Sequence, residues 1–194
     1  VMNEGIVSQR LGLPGNPISA EAIMIYRDCE IAWLTGARVH IAHISSKRGM
    51  QIVEWFKSQG ANVTAEVSPH HLTLTDSAME LFDPMYKVAP PLRTQEDVEY
   101  LREAIKRGVV DNIGTDHAPH TRAEKERDMV EAPFGIGNIE VAFPLLYTEL
   151  VTKKIIDLQI LLAIFQTVPA KVMHWNQPSL EVGSLADIAV IDLQ

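Results

Sequence analysis

The run Gly114-Thr115-Asp116-His117-Ala118-Pro119-His120 concentrates one carboxylate and two imidazoles directly after the apolar stretch Val109-Val110-Asp111-Asn112-Ile113. Asp and His are metal ligands and proton-transfer groups, so a strand tip carrying them is a candidate catalytic edge. Asp116 in isolation reads equally as a turn residue or helix cap. A second histidine-bearing run, Arg38-Val39-His40-Ile41-Ala42-His43, tips the balance toward function. On a regular strand His40 and His43 point to opposite faces, so both cannot reach one ion. His43, at the tip, is the better ligand candidate, and His40 is expected to pack against a helix. His70 and His71 follow the next apolar run; adjacent side chains diverge, so at most one coordinates, and a supporting role serves them equally well. His174, near Trp175 at a helix end, reads as structural.

These groups need rigid elements beneath them. The spacing predicts helices over Ala20–Leu34 (capped by Ser19), Lys47–Gln59, and from Thr94 to about Arg107. Short apolar runs at Arg38–Ala42, Ala61–Val67 and Val109–Ile113 read as strands. Residues 1–17, rich in Gly and Pro, read as a surface loop. Two further helical segments, about Ile139–Thr152 and Leu158–Ala163, follow the charged stretch Arg122–Glu131. Helix and strand alternate, which is the pattern of an α/β fold with parallel strands and helical crossovers. The tail Gly183–Asp192 breaks this rhythm as a turn and a strand.

The chain has 194 residues, 46% of them hydrophobic, enough to bury a core. Its formal net charge of -8 and the lack of a basic stripe argue against nucleic acid as a partner. One cysteine, Cys29, excludes an intramolecular disulfide, fits a reducing cytoplasm and sits where a core residue is expected. No apolar run is long enough to span a bilayer, and no signal peptide is visible. Gly135-Ile136-Gly137 is not a dinucleotide fingerprint, and there is no P-loop or nucleophile elbow.

Taken in order, the motifs resemble those of the dihydroorotases, in the bacterial class I branch of the amidohydrolase superfamily. They are Met2-Asn3-Glu4-Gly5 through Leu11-Gly12-Leu13-Pro14, His40-Ile41-Ala42-His43-Ile44-Ser45-Ser46, Glu66-Val67-Ser68-Pro69-His70-His71-Leu72, Pro90-Pro91-Leu92-Arg93, the Asp116 run, and Ala132-Pro133-Phe134-Gly135. The resemblance implies the C-terminal part of a (β/α)8 TIM-type barrel over residues 1–178, and a strand of a small β-domain over 179–194. It implies a zinc site, usually binuclear, and reversible cyclisation of N-carbamoyl-L-aspartate to L-dihydroorotate in pyrimidine synthesis. By the same resemblance His43 and Asp116 are metal ligands, and Asp116 accepts the proton of the attacking hydroxide. His120 binds a substrate carboxylate, Phe134 and Gly135 contact the substrate through backbone groups, and Ala89 stands where family members often have Asn. His70, His71 and His117 receive no role.

The family's site also uses a His-x-His motif, a bridging acidic or carbamylated group, and another histidine, none of which occurs in this chain. Its seven histidines are 40, 43, 70, 71, 117, 120 and 174. A barrel takes about 250 residues, and about three of its strands are expected here. Both ends read as cuts through something larger, so these residues alone are expected neither to hold zinc tightly nor to turn over dihydroorotate. An open sheet edge and exposed apolar surface are expected to invite association. The rival enzyme readings are allantoinase and hydantoinase. The rival from another class is a non-catalytic scaffold for aspartate transcarbamoylase, a partner that some family members have; a homodimer is the other possible assembly.

Overall fold

Parallel strands set every chemistry-bearing loop on the same side of the sheet. The computed structural model describes residues 1–177 and 179–193. β1 (Met2–Asn3) and β2 (Gly15–Asn16) form a parallel pair bridged by α1 (Ile6–Leu11), and α2 (Ile18–Thr35) follows. Then β3 (Val39–Ile41), α3 (Lys47–Ser58), β4 (Val63–Val67), α4 (Pro69–Thr73), α5 (Gln95–Lys106) and β5 (Asn112–Ile113) give the expected α/β alternation. The order in the main sheet is β3-β4-β5, all parallel, with Ile41 opposite Ala65 and Val67 opposite Ile113. α6 (Arg122–Lys125), α7 (Ala142–Leu146), a π-helical turn over Tyr147–Thr152, α8 (Leu158–Phe165) and α9 (Thr167–Val172) complete the helices.

The helices form where their apolar spacing allows a single buried face. In α2 the buried residues are Ala22, Ile25, Cys29 and Ala32; in α3 they include Met50, Val53 and Phe56; in α5 Val98, Leu101, Ala104 and Ile105. Each set repeats every three or four residues. These faces meet Val63, Ala65 and Val67 of β4 in one core, with Leu146, Leu150, Leu161 and Ile164 closing it from the later helices. Cys29 lies in this core, and burial pushes its thiol up to about 11. Thr94 and Asp97 cap α5 reciprocally, as the sequence predicts for Thr94.

Several boundaries differ from expectation, each for a local reason. α2 starts at Ile18 behind Pro17, so Ser19 sits inside the first turn and is not the cap. Residues 1–17 are not a plain loop: Gly5 and Gly12 punctuate α1, with Gly12 in the left-handed C-cap conformation (φ 67°). β5 is confined to two residues because Val109 N–H bonds back to Ala104 O (2.9 Å), while the Asp111 carboxylate takes Ala65 N–H (2.6 Å) and the Lys57 ammonium (2.5 Å). The helix expected from Ile139 starts at Ala142, because Ile139 N–H is taken by His117. In the tail a turn forms as expected, with Ser184 N–H donating to Glu181 O. Residues 185–193 are exposed and hold no strand among the described residues, since no strand in this chain pairs with them. Pro178, at the boundary expected between barrel and β-domain, and Gln194 lie outside the described residues.

Apolar surface is left uncovered. Ile23, Tyr26, Trp33 and Trp55 are exposed along α2 and α3, as are Leu180, Val182, Leu185 and Val190 in the tail. Among the described residues no strand pairs with the outer edge of β3 or of β5. No helix among the described residues is long and apolar enough to cross a membrane.

Candidate active site

β4 alternates Val63, Ala65 and Val67 into the core, so Thr64 and Glu66 point to the opposite face. Glu66 is the centre of what gathers there. His43 Nδ1 lies 3.0 Å from Glu66 Oε1, His40 Nε2 lies 3.3 Å from Oε2, and Asn112 Nδ2 donates to Oε2 at 2.8 Å. His40 therefore does not pack against a helix. It faces Glu66 and bonds Thr64 Oγ1 at 2.8 Å. Nor do His40 and His43 diverge, because His43 leaves the strand in a left-handed conformation (φ 55°) that swings its ring back over Glu66. Burial works against the ionised Glu66, and the hydrogen bonds from His40 and His43 outweigh it, holding the carboxyl at about 2. The bond to Glu66 in turn raises the His43 imidazole above its usual range, burial partly opposing it.

Asp116 comes in from the tip of β5, also left-handed (φ 49°). Its Oδ1 lies 3.7 Å from His43 Nε2 and its Oδ2 lies 3.9 Å from His70 Nε2. Burial pushes its carboxyl up, against the pull of His43. Two non-glycine residues with positive φ, beyond the tips of β3 and β5 on either side of β4, are strain of the kind that collects at functional sites. An ionised carboxylate can only accept, so Glu66 requires the proton of His43 on Nδ1. In the neutral ring that leaves the Nε2 lone pair directed toward Asp116. A carboxylate behind a histidine in this way is the usual support for a metal ligand. Zinc lies about 2 Å from each donor, so a 3.7 Å gap between Nε2 and Oδ1 suits two donors of one ion.

The fit is partial. Among the described residues no group of three or more His, Cys, Asp or Glu is arranged to hold a metal ion. The structure brings His43 and Asp116 together as expected. It turns His71 away, with Nε2 on Pro90 O at 2.9 Å, and burial lowers that imidazole to about 4.

The loop carrying the expected substrate contacts is built separately. His120 Nε2 donates to Phe134 O at 2.9 Å, and Ala118 N–H donates to Ile136 O at 3.0 Å. Phe134 is exposed, and Gly135 is buried with φ 145°. A Cβ at Gly135 would sit 2.4 Å from Ala118 O, so only glycine fits this crossing. Two buried lysines hold the loop from below. Lys87 Nζ donates to Val130 O (2.9 Å) and Ala132 O (2.6 Å), and Lys125 Nζ to Lys87 O (3.2 Å), Pro133 O (3.1 Å) and Gly135 O (2.9 Å). Gly135 N–H also donates to Lys87 O at 3.0 Å, tying the loop to the segment that carries exposed Ala89.

Sequence reasoning passed over Glu66, Asn138, Lys87, Lys125 and the reason for Gly114. Glu66 had a signal, a carboxylate inside an otherwise apolar strand. Lys125 had none, because it sits in a run of charges that reads as solvated surface. Gly114 packs on the Glu66 carboxylate: an added Cβ would lie 2.0 Å from Oε1. Gly114→Ala is therefore expected to displace Glu66 from His43 and to cost about 1–3 kcal/mol. Urea unfolding measures the cost, and the loss of the His43 Nδ1–H signal in imidazole nitrogen NMR measures the displacement.

No protein-family model matches the chain. The dihydroorotase of Deinococcus radiodurans is 54% identical over 194 residues, covering 100% of this chain and 46% of that protein. The dihydroorotase of Thermus aquaticus is 49% identical over 198 residues, covering 99% and 46%. Among solved structures, dihydropyrimidinase from Brevibacillus agri NCHU1002 superposes with a TM-score of 0.82 at 26% identity, over 95% of this chain and 41% of that one. L-Hydantoinase (dihydropyrimidinase) from Arthrobacter aurescens gives 0.82 at 30% identity, over 88% and 39%. The α/β fold with parallel strands is thus shared with these hydrolases. The chain is similar to these dihydroorotases along nearly all of its residues and spans about half of their length.

Proposed function

We infer that this chain supplies one wall of a metal-dependent active site for reversible cyclisation of N-carbamoyl-L-aspartate to L-dihydroorotate. The observation that carries the reading is the facing pair His43 Nε2 and Asp116 Oδ1, with Glu66 behind the histidine. Its substrate assignment is supported by relatives that are dihydroorotases at 54% and 49% identity. His43 and Asp116 would hold the metal, zinc being the ion that suits imidazole and carboxylate, with further ligands from residues beyond this chain. A bound divalent ion would lower the pKa of water and polarise the ring carbonyl.

The remaining chemistry falls to side chains of this chain. Asp116 accepts a proton at the carboxylate oxygen facing the reacting carbon and returns it to the ring nitrogen as the C–N bond breaks. His120 receives the substrate carboxylate by turning its Nε2–H from Phe134 O to the incoming anion. The backbone of Phe134 and Gly135 lines the same loop, and Ala89 contributes only main-chain groups. Residues 1–178 are the barrel portion and the tail beyond them the start of a β-domain. The pairing of His43 with Glu66 and its approach to Asp116 favour catalysis over the scaffold reading.

The test is an assay of L-dihydroorotate, allantoin and hydantoin with a protein that joins this sequence to the remaining length of its relatives. Hydrolysis of dihydroorotate, reduced 100-fold or more in kcat by Asp116→Asn, is the expected result. Preference for allantoin or hydantoin would overturn the substrate assignment.

A further inference from the structure

His70 approaches the Asp116 carboxylate oxygen that His43 does not face, and its side chain is 1% exposed. Its Nε2 is a buried polar atom with no hydrogen-bond partner, 3.9 Å from Asp116 Oδ2. Its Nδ1 lies 2.7 Å from Asn138 Nδ2. The same amide nitrogen donates to Thr115 O at 3.0 Å. A carbonyl oxygen can only accept, so the atom of Asn138 that faces Thr115 is the NH2 group and not the amide oxygen. Its second hydrogen then points at His70 Nδ1, which must present a lone pair. The single proton of a neutral ring is left on Nε2, aimed at Asp116.

Asn138 is itself held. His117 Nδ1 accepts from Asn138 N–H (3.0 Å) and Ile139 N–H (3.1 Å). His117 thereby fixes the residue whose side chain fixes His70. Both ends of this chain of contacts touch the Asp116 run, one through Thr115 and the other through His117.

We propose that His70 is a positioning residue for Asp116: Asn138, pinned by His117, holds it as the neutral Nε2–H tautomer, which donates toward Oδ2 and cannot act as a metal ligand. His43 and His70 then flank one carboxylate in opposite tautomers, one offering a lone pair and the other a proton. Glu66 sets the first and Asn138 the second. The Nε2 proton, aimed at Oδ2 across 3.9 Å, favours the carboxylate orientation in which Oδ1 is directed at His43. This deepens the reading of Asp116 as part of the site, and it assigns His117 a purpose within its motif.

The experiment is long-range proton–nitrogen NMR of the 194-residue chain labelled with 15N-histidine, without metal or substrate. His70 is expected to show a protonated Nε2 and an unprotonated Nδ1, and His117 likewise an unprotonated Nδ1. In Asn138→Ala the His70 tautomer ratio should move by roughly five- to tenfold, the worth of one lost hydrogen bond. Circular dichroism serves as the check that the variant is folded. A His70 protonated on Nδ1 in the unaltered chain would overturn the proposal, as would a folded Asn138→Ala with the ratio unchanged. If that variant does not fold, the spectrum of the unaltered chain decides alone. The readout involves no turnover, so a wrong substrate assignment would leave it untouched.

Discussion

Arg93→Met unfolds the chain at markedly lower urea, with a loss of about 3–5 kcal/mol. Arg93 is 1% exposed and spends its guanidinium on Ser45 Oγ (3.0 Å), Asn3 Oδ1 (2.9 Å), Asn16 O (2.7 Å) and the Glu21 carboxylate (3.2 Å). Glu21 in turn accepts from the backbone N–H groups of Ser45 (3.0 Å) and Ser46 (3.2 Å), and from both of their hydroxyls. Methionine fills the volume but strands a buried carboxylate and three neutral acceptors. The loop that Glu21 holds begins two residues after His43, so the damage reaches the site. Hydrogen exchange at the Ser45 and Ser46 amides should rise with the loss of stability. Arg93→Lys should recover only part of it, because a single ammonium cannot reproduce the fork that spans β1, β2 and the Ser45 loop. A loss below about 1 kcal/mol would show that the network is as dispensable as a surface pair.

The second large effect is expected at Lys125. Replacement by Met leaves the carbonyls of Lys87, Pro133 and Gly135 without their shared donor. Lys87 O keeps the Gly135 N–H, but each carbonyl left unpaired costs about 1–3 kcal/mol, less what is regained by no longer burying an ammonium, so about 2–4 kcal/mol in sum. Urea unfolding gives the total, and faster exchange of the Gly135 amide, now bonded to Lys87 O, localises it. Glu126→Ala is the control. It removes an ion pair to Arg122 whose side chains are 90% and 61% exposed, and it should change stability by less than about 0.5 kcal/mol. Two basic residues of one charged run thus differ in kind: Lys125 is internal wiring beneath the Phe134–Gly135 loop, whereas Arg122, three residues earlier, is solvated.

The contrast shows what the sequence made legible. Apolar spacing located α2, α3 and α5 within a residue or two, because burying a helix face requires that spacing. It located β3 and β4 as well. It overextended β5, since nothing local announces that Asp111 will cap the neighbouring strand and that Val109 will fold back on α5. At the site, the strand-tip rule pointed to His43 and Asp116, whose side chains lie 3.7 Å apart. The alternation rule failed for His40 and His43 because it assumes an extended backbone, and His43 is left-handed. The supporting residues were invisible for a different reason. Glu66, Asn138 and Lys87 act across 23 to 68 residues of chain, as in Asn138 to Thr115 and to His70, and Lys125 reaches back 38 residues to Lys87. Contacts at that range follow from the fold and leave no mark in local composition.

The central claim is that His43 and Asp116 form a metal-binding wall that is incomplete within these residues. Zinc added stepwise to the 15N-histidine-labelled chain measures this most directly. The account predicts weak binding, removed by dialysis, that shifts the His43 Nε2 resonance and leaves the His70 Nδ1 resonance in place; His43→Ala and Asp116→Ala should each abolish the response. Zinc retained near one ion per chain after dialysis would contradict it, as would a response centred on His70 that survives loss of Asp116.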